Sequence, residues 1–420
     1  MSASLIKTLV AAAFLGSLLL GAPASAPAQT ADSAWWPQFH GPNRDNISTD
    51  TGLLRKWPAG GPKLIWDYPD CGKGWSGIAI AKGRILTAGD FGDQEMLIAL
   101  DTSGKFLWKS PNGAAWQGAE PGSRTTPTYD DGMLFHMNPT GRLAAYDASS
   151  GKEAWSVDLQ SEFGARYGTW AMAENVLVEG DKVLCLPGGS KAFAAALDKR
   201  TGKTIWTNRE FEERAAYCSP IVASYRGVRQ MITLAQRSVV GIDVATGKLL
   251  WSHPFGKVWQ NTTSPVFHDG YVFITCGHSS GGQLLKINPD VRGISEVWYR
   301  KEFDNCHGGV ILLEGCLYGC GCRLGGKDFF CVDFLTGKTR FTSKTLGKVS
   351  ITYADGMLYC LSDKGKMSLA AIKPDGLDVV SQFDLPKVSP DLTLCHPVVC
   401  GGRLYLRHAN HLYAYDVRAK

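Results

Sequence analysis

No stretch of this sequence concentrates charge of one sign. Its 44 Lys and Arg against 39 Asp and Glu leave a net charge of +5 spread along 420 residues. There is no basic block and no basic amphipathic stretch, so composition offers nothing to hold a nucleic acid or an anionic membrane surface. Past the N-terminus no apolar run is long enough to cross a bilayer. Among the twelve Cys no spacing matches a zinc knuckle or ribbon: "CLYGCGC" (316–322), with Cys306-His307 upstream, reads C-x₃-C-x-C and has no second knuckle. "GGSK" (188–191) lacks the earlier glycine of a phosphate loop. What is abundant is Gly, at 48 residues, and Trp, at 13. That pairing predicts a turn-rich chain with aromatic packing.

The N-terminus reads as an export signal over residues 1–28. Lys7 is the charged end, "TLVAAAFLGSLLL" (8–20) the apolar stretch, and Ala26-Pro27-Ala28 the small-residue cleavage site, leaving Gln29 first. No Cys follows in position for lipid attachment. The expectation is a periplasmic or secreted protein without a transmembrane segment after processing. Cys185, Cys331 and Cys360 sit in apolar, strand-like runs, and Cys320 and Cys322 share one face of a strand. Buried free thiols are therefore expected, with one or two bridges as the alternative.

The dominant feature is a phrase that returns. "AALDKRTGKTIW" (195–206) recurs as "AYDASSGKEAW" ending at Trp155, "GIDVATGKLLW" at Trp251, "CVDFLTGKTRF" at Phe341 and a shorter "ALDTSGKFLW" at Trp108. With weaker copies, Asp101, Asp147, Asp198, Asp243, Asn288, Asp333, Lys373 and Asp416 hold corresponding places about 40–51 residues apart. An alternating run with a turn precedes each copy, so every unit holds about four short strands. Asp caps the turn, Gly closes it and the aromatic packs on the next unit. The last copy stops short of its aromatic strand, and "KLIWDY" with Trp66 supplies that strand from the other end. The prediction is an all-β, eight-bladed propeller of four-stranded antiparallel blades over residues 62–420, closed by pairing of its N- and C-terminal strands. The lead, 29–61, should dock on it through Trp35, Trp36, Phe39 and Trp57, as a plug or strap. In a sharper version it is a lid over the channel mouth, with His40 and Arg44 facing a ligand.

The pattern A-x-D-x-x-[ST]-G-x-x-x-W resembles the tryptophan-docking signature of PQQ-like (pyrroloquinoline-quinone) propeller repeats, over about 360 residues. The lead "WWPQFHGPNRDNIS" (35–48) is similar to the W-P-x-F-x-G-P opening of exported, planctomycete-type members. That family includes quinoprotein dehydrogenases and non-catalytic relatives such as the outer-membrane assembly factor BamB. The dehydrogenase branch implies PQQ held by cationic donors and an aromatic platform, with Ca²⁺ on carboxylate and amide ligands. Residues placed where inner strands enter the channel are Arg124, Trp170, Asn261, His307, Lys348 and His396 for the cofactor, with Glu174 and Asn175 for the metal. Trp75 or Trp170 would stack, Arg124 and Lys348 would hold carboxylates, and Asn261 is a further amide for the cation. Against that branch, the chain has no adjacent Cys-Cys pair, no C-x-x-C-H for haem, and no Asp that aligns as a catalytic residue. The first expectation is thus a non-catalytic ligand-binding or protein-interaction scaffold of the cell envelope, monomeric, whose partners are envelope proteins or a small molecule at the channel mouth. The alternative is a PQQ-dependent dehydrogenase of an alcohol or sugar.

Two literal matches fall away on context. "GHSSG" (277–281) fits G-x-S-x-G and proposes Ser279 as a nucleophile, but strands flank it on both sides, whereas that elbow leads into a helix. "NIS" (46–48) and "NTT" (261–263) are glycosylation sequons only.

Overall fold

In the computed structural model, which describes residues 34–256, 260–278, 280–322 and 328–419, each full copy of the phrase forms the turn between the third and fourth strands of a blade. Asp198 Oδ1 accepts the N–H groups of Arg200 (3.1 Å) and Thr201 (2.8 Å) and the Thr201 hydroxyl (2.7 Å). Asp147 does the same for Ser149 and Ser150, whose hydroxyls hold its carboxyl down at about 2. Beyond the turn a bulge recurs, at Ala99/Leu100, Ala145/Tyr146, Ala196/Leu197 and Gly241/Ile242. It sets the aromatic residue opposite a small one: Trp108 faces Ala99, Trp155 Ala145, Trp206 Ala196 and Trp251 Gly241.

The aromatic residue then reaches the next blade. Trp155 lies on Gly202, where an added Cβ would come within 2.8 Å of the ring and where φ is +72°. Only glycine meets both conditions without strain. The indole N–H donates to Lys199 O at 2.9 Å, so the ring is buried without stranding its polar atom. Trp66 on Gly104, Trp206 on Gly247 and Trp298 on Gly337 repeat the joint. Trp251 departs from it. The turn it should meet begins at Asn288 and brings its glycine one place later, at Gly293. Its N–H turns instead to Gln230 Oε1 (2.7 Å), with the ring over Gly241 of its own blade.

The described strands form eight antiparallel sheets of four. Blades 1 to 7 span 79–114, 128–158, 177–208, 221–254, 266–300, 311–343 and 349–384. Blade 8 takes 398–416 and completes itself with Lys63–Tyr68, which pairs with His411–Asp416 in register Lys63↔Asp416 to Tyr68↔Leu412. The fold is thus an eight-bladed β-propeller closed between its N- and C-terminal strands. One short helix, Leu159–Phe163, interrupts the strands, and no helix among the described residues is long and apolar enough to cross a membrane. The apolar cores lie between blades, and the centre remains a channel walled by the inner strands.

The lead crosses that channel. Trp36 pairs with Ile80 of blade 1 in both directions (2.8 and 2.7 Å), and Pro37 O accepts from Tyr129 of blade 2. The chain reverses at His40 and Gly41, both at positive φ, with Gly41 against the Trp36 ring. It returns beside Tyr353 of blade 7, then Asp50 takes Gly402 N–H (2.7 Å) and Leu54 N–H reaches Val417 O (2.8 Å) at blade 8. Trp36 and Trp57 are buried, whereas Trp35 stays 41% exposed, edge-on to Tyr129. The proposed cleavage site and the rest of residues 1–33 lie outside the described residues, as does Ser279. The strands around Ser279, Tyr271–Cys276 and Gly281–Ile287, form a hairpin with no helix after it. All twelve cysteines are free thiols.

Candidate functional site at the channel mouth

The residue four places before the start of each inner strand falls at one register: Trp75, Arg124, Ala173, Tyr217, Thr262, His307 and Leu394. Lys348 joins them by alignment of "KVSITYADG" with "RTTPTYDDG". Alternation of period two then fixes which way each neighbour points. Two residues further on, Gly77, Thr126, Asn175, Ser219, Ser264, Gly309 and His396 again line the channel. The residues between them turn into the wall: the Thr125 hydroxyl donates to Met137 O (2.6 Å), that of Thr263 to Cys306 O (2.6 Å), and Cys218 is 1% exposed.

The outer register opens into a cavity of about 360 Å³ walled by Trp75, Trp170, Tyr217, Leu392 and Leu394, with Arg124, His278, Cys306, His307 and the rim carboxylate Glu120 at its edge. Trp75 is fixed by its N–H to Leu392 O (3.0 Å), and Trp170 meets Tyr217 edge-on at 6.0 Å. The Arg124 guanidinium lies 5.3 Å over the Trp75 ring and is anchored on the carbonyls of Ala119 (2.9 Å) and Glu120. Burial lowers it to about 10, still charged at neutral pH. Lys348 is half-buried near His307 and Cys306.

Beneath lies a second space of about 180 Å³, floored by Phe39, His40 and Asn46 of the lead. His40 stacks on Phe39 (3.6 Å between centroids) and lies 4.5 Å from the His396 ring. His396 Nε2 is 2.8 Å from His307 O and so carries the proton, leaving Nδ1 to accept from Asn46 Nδ2 at 3.0 Å. Burial, before any charge effect, holds His307 down at about 3 and His396 at about 4, so both are neutral at physiological pH. Arg44 closes the far side. Its guanidinium donates to Asn175 O (3.1 Å), Pro220 O (2.8 Å) and Val176 O, and its Nε to Gln38 Oε1 (3.0 Å).

Of the residues singled out in the sequence, Arg124, Trp170 and His307 come together at the mouth, Lys348 stands at the same register, and Asn175 and His396 lie one layer below. Glu174 and Asn261 do not join them. Glu174 faces the blade, accepts Leu186 N–H at 2.6 Å, and is raised by burial to about 8. Asn261 is fully buried and donates to Ala235 O (2.6 Å) and Gln236 O (3.2 Å). Both lie one residue out of phase with the channel-facing positions. Asn46 is 2% exposed, so neither sequon asparagine is accessible. Tyr217 escaped notice although it occupies the same register as Arg124, and counting back from each "SP" and turn would have found it.

These residues do not fit a Ca²⁺ site. Adjacent on an extended segment, Glu174 and Asn175 face opposite ways. Glu174 is protonated at neutral pH, and the Asn175 amide is spent on Thr126 N–H and, at 2.8 Å, the Ser219 hydroxyl. Among the described residues no three His, Cys, Asp or Glu are grouped to hold a metal.

A closed eight-bladed propeller with a plugged channel and an aromatic mouth defines the class. Within it, the chain belongs to the PQQ-like repeat family described as outer membrane protein assembly factor BamB, whose family model matches residues 65–320. Curated relatives include a quinohemoprotein alcohol dehydrogenase of Pseudomonas putida, 32% identical over 207 residues (47% of this chain, 26% of that one). The outer membrane protein assembly factor BamB of Nitrosomonas eutropha is 24% identical over 205 residues (47% and 43%). The chain therefore covers less than half the length of either. Among solved structures it is similar to BamB from Moraxella catarrhalis, with a TM-score of 0.61, 15% identity and coverage of 84% of this chain and 99% of that one. A quinohemoprotein alcohol dehydrogenase from Comamonas testosteroni gives 0.64, 13%, 93% and 81%. At these identities the structural likeness speaks for the fold.

Proposed function

We propose that this chain is a non-catalytic binding propeller of the cell envelope, exported after loss of residues 1–28. Its channel mouth receives a flat, apolar group that carries negative charge. The observation behind this reading is the composition of the two channel-facing registers. They present indole, phenol, imidazole, guanidinium, ammonium and amide groups, but no carboxylate. A site so built attracts an anionic aromatic: the two registers supply neither a carboxylate ligand for Ca²⁺ nor an ionised base to take a proton from an alcohol, and the carboxylate of Glu120 stands outside them, on the rim. Trp75 and Trp170 offer apolar faces, while Arg124 and Lys348 supply the charge. A ligand of this kind is either a small molecule or an aromatic side chain of an envelope protein beside an acidic residue.

The competing reading, a PQQ-dependent dehydrogenase of an alcohol or sugar, draws on the names of the quinoprotein relatives and on the same aromatic pair. The test uses 8-anilinonaphthalene-1-sulfonate as an anionic aromatic probe, then PQQ with and without Ca²⁺, each followed by calorimetry, with a dye-coupled alcohol assay. Expected are saturable probe binding that weakens roughly 5- to 10-fold in Arg124→Ala, the loss of about 1 kcal/mol from one charge-assisted contact, and no Ca²⁺ effect on PQQ. Calcium-dependent PQQ binding with dye reduction would overturn the proposal in favour of the dehydrogenase.

A further inference from the structure

Four thiols collect in and beside blade 6, at the edge of the mouth: Cys276, Cys306, Cys320 and Cys322. Their environments separate them. Cys276 donates to Gln260 O (3.2 Å) and Cys320 to Val349 O (3.1 Å), so each is a buried thiol already committed to a carbonyl. Cys306 and Cys322 instead share a hydrogen bond with each other. Both sulfurs crowd the glycine of the adjoining hairpin, at 2.9 and 3.2 Å from where a Cβ on Gly277 would sit. Cys306 also lines the mouth cavity, whereas Cys322 lies behind it with its backbone N–H held by Asp304 Oδ1 (3.0 Å).

We propose that Cys306 and Cys322 are a redox pair that forms a reversible disulfide by exchange with an external disulfide entering the mouth. One proton is shared between the two sulfurs. The Cys306–Cys322 hydrogen bond pulls the Cys322 thiol below the ordinary range and pushes that of Cys306 above it, and the Lys348 ammonium favours the negative charge on both. The Cys322 thiolate takes the Cys306 proton as Cys306 Sγ attacks one sulfur of R–S–S–R, forming a mixed disulfide and expelling RS⁻. Cys322 then gives up its proton and attacks Cys306 Sγ, expelling the second RS⁻. The pair loses two electrons and its one proton, and the external disulfide leaves as two thiolates, one of which takes that proton and the other a proton from solvent. Closure needs the two sulfurs to move from hydrogen-bond contact to the ~2.05 Å of a disulfide. The inference is independent of which ligand the mouth receives.

The experiment incubates the purified full-length protein with oxidised glutathione under native conditions, then counts thiols and maps them by mass spectrometry. Trypsin leaves Cys306, Cys316, Cys320 and Cys322 in one peptide, so a glutamyl endopeptidase cutting after Glu314 is used to separate Cys306 from the others. Expected is the loss of two of the twelve thiols as a Cys306–Cys322 link, reversed by dithiothreitol. In Cys322→Ser the second step is blocked, and Cys306 should accumulate as its glutathione adduct. No thiol loss in the parent, or a link from Cys306 to Cys276 or Cys320, would overturn the proposal. If the variant fails to fold, the parent map decides.

Discussion

Arg44 is the residue on which the plug should depend, and its removal can be worked through. Arg44 is 6% exposed, and three of its acceptors are backbone carbonyls at the entrances to blades 3 and 4. In Arg44→Ala those carbonyls lose their donors, and each stranded buried acceptor costs about 1–3 kcal/mol. A cavity of about 350 Å³ borders Arg44 on the side away from the mouth, so water can reach them and the cost falls toward the low end. The sum is roughly 3–5 kcal/mol. With an unfolding entropy of about 2.1 cal/mol/K per residue over roughly 390 folded residues, that lowers the melting temperature by about 4–6 °C. Arg44→Lys, which keeps the charge but not the fork, should fall between. The assays are thermal denaturation and chymotrypsin cleavage at Phe39, a lead residue that lines the inner space. A variant that melts within about a degree of the parent and leaves Phe39 protected would refute the claim that Arg44 pins the lead.

Two further outcomes test the wall and the joint. Glu174 has a folded pKa of about 8, raised by burial from 4.5, so its stabilising proton counts fully below about pH 4.5 and is lost as pH rises through about 8. Glu174→Gln, which keeps an acceptor for Leu186 N–H, should gain steadily on the parent across that window in melting scans, and parallel curves would contradict the burial argument. In a double-mutant cycle, Trp155→Ala should cost about 3–5 kcal/mol and Gly202→Ala about 1–3 kcal/mol. Because the Gly202→Ala methyl clashes with the very ring that Trp155→Ala removes, the pair should cost at least about 1 kcal/mol less than the sum. Additivity in denaturant titrations would show that the two do not meet.

The fold was legible because its joint is local. Asp198, Gly202 and Trp206 fall within nine residues, and each does its work through backbone that the phrase itself supplies, the cap, the positive φ and the bulge opposite Ala196. Trp251 shows the limit: whether an indole finds its seat depends on the next turn, and one extra residue before Gly293 removes it. At the mouth, Arg124, His307 and Lys348 were readable from their place before the inner strands. The same alternation would have turned Glu174 and Asn261 into the wall, had it been carried one residue further. The path of the lead was not readable. Phe39 beside His40, His40 beside His396 and Arg44 on Pro220 O are contacts between distant segments, and no periodicity encodes them.

The closure of blade 8 sets an order of events for the growing chain. Lys63–Tyr68 is made before any other strand of the ring, yet its partner His411–Asp416 is made after the seven other blades. The lead is in the same position, since its contacts at Tyr353, Gly402 and Val417 also come late. A ribosome or translocation pore therefore delivers seven blades while the first strand waits without its partner and the plug has only its early contacts, at Ile80, Tyr129 and the carbonyls that Arg44 holds. Until the final segment arrives, the unpaired strand Lys63–Tyr68, the apolar face of blade 1 and the open channel are the surfaces a chaperone must guard. A chain interrupted in blade 7 would hold most of its native contacts and still have no finished circle.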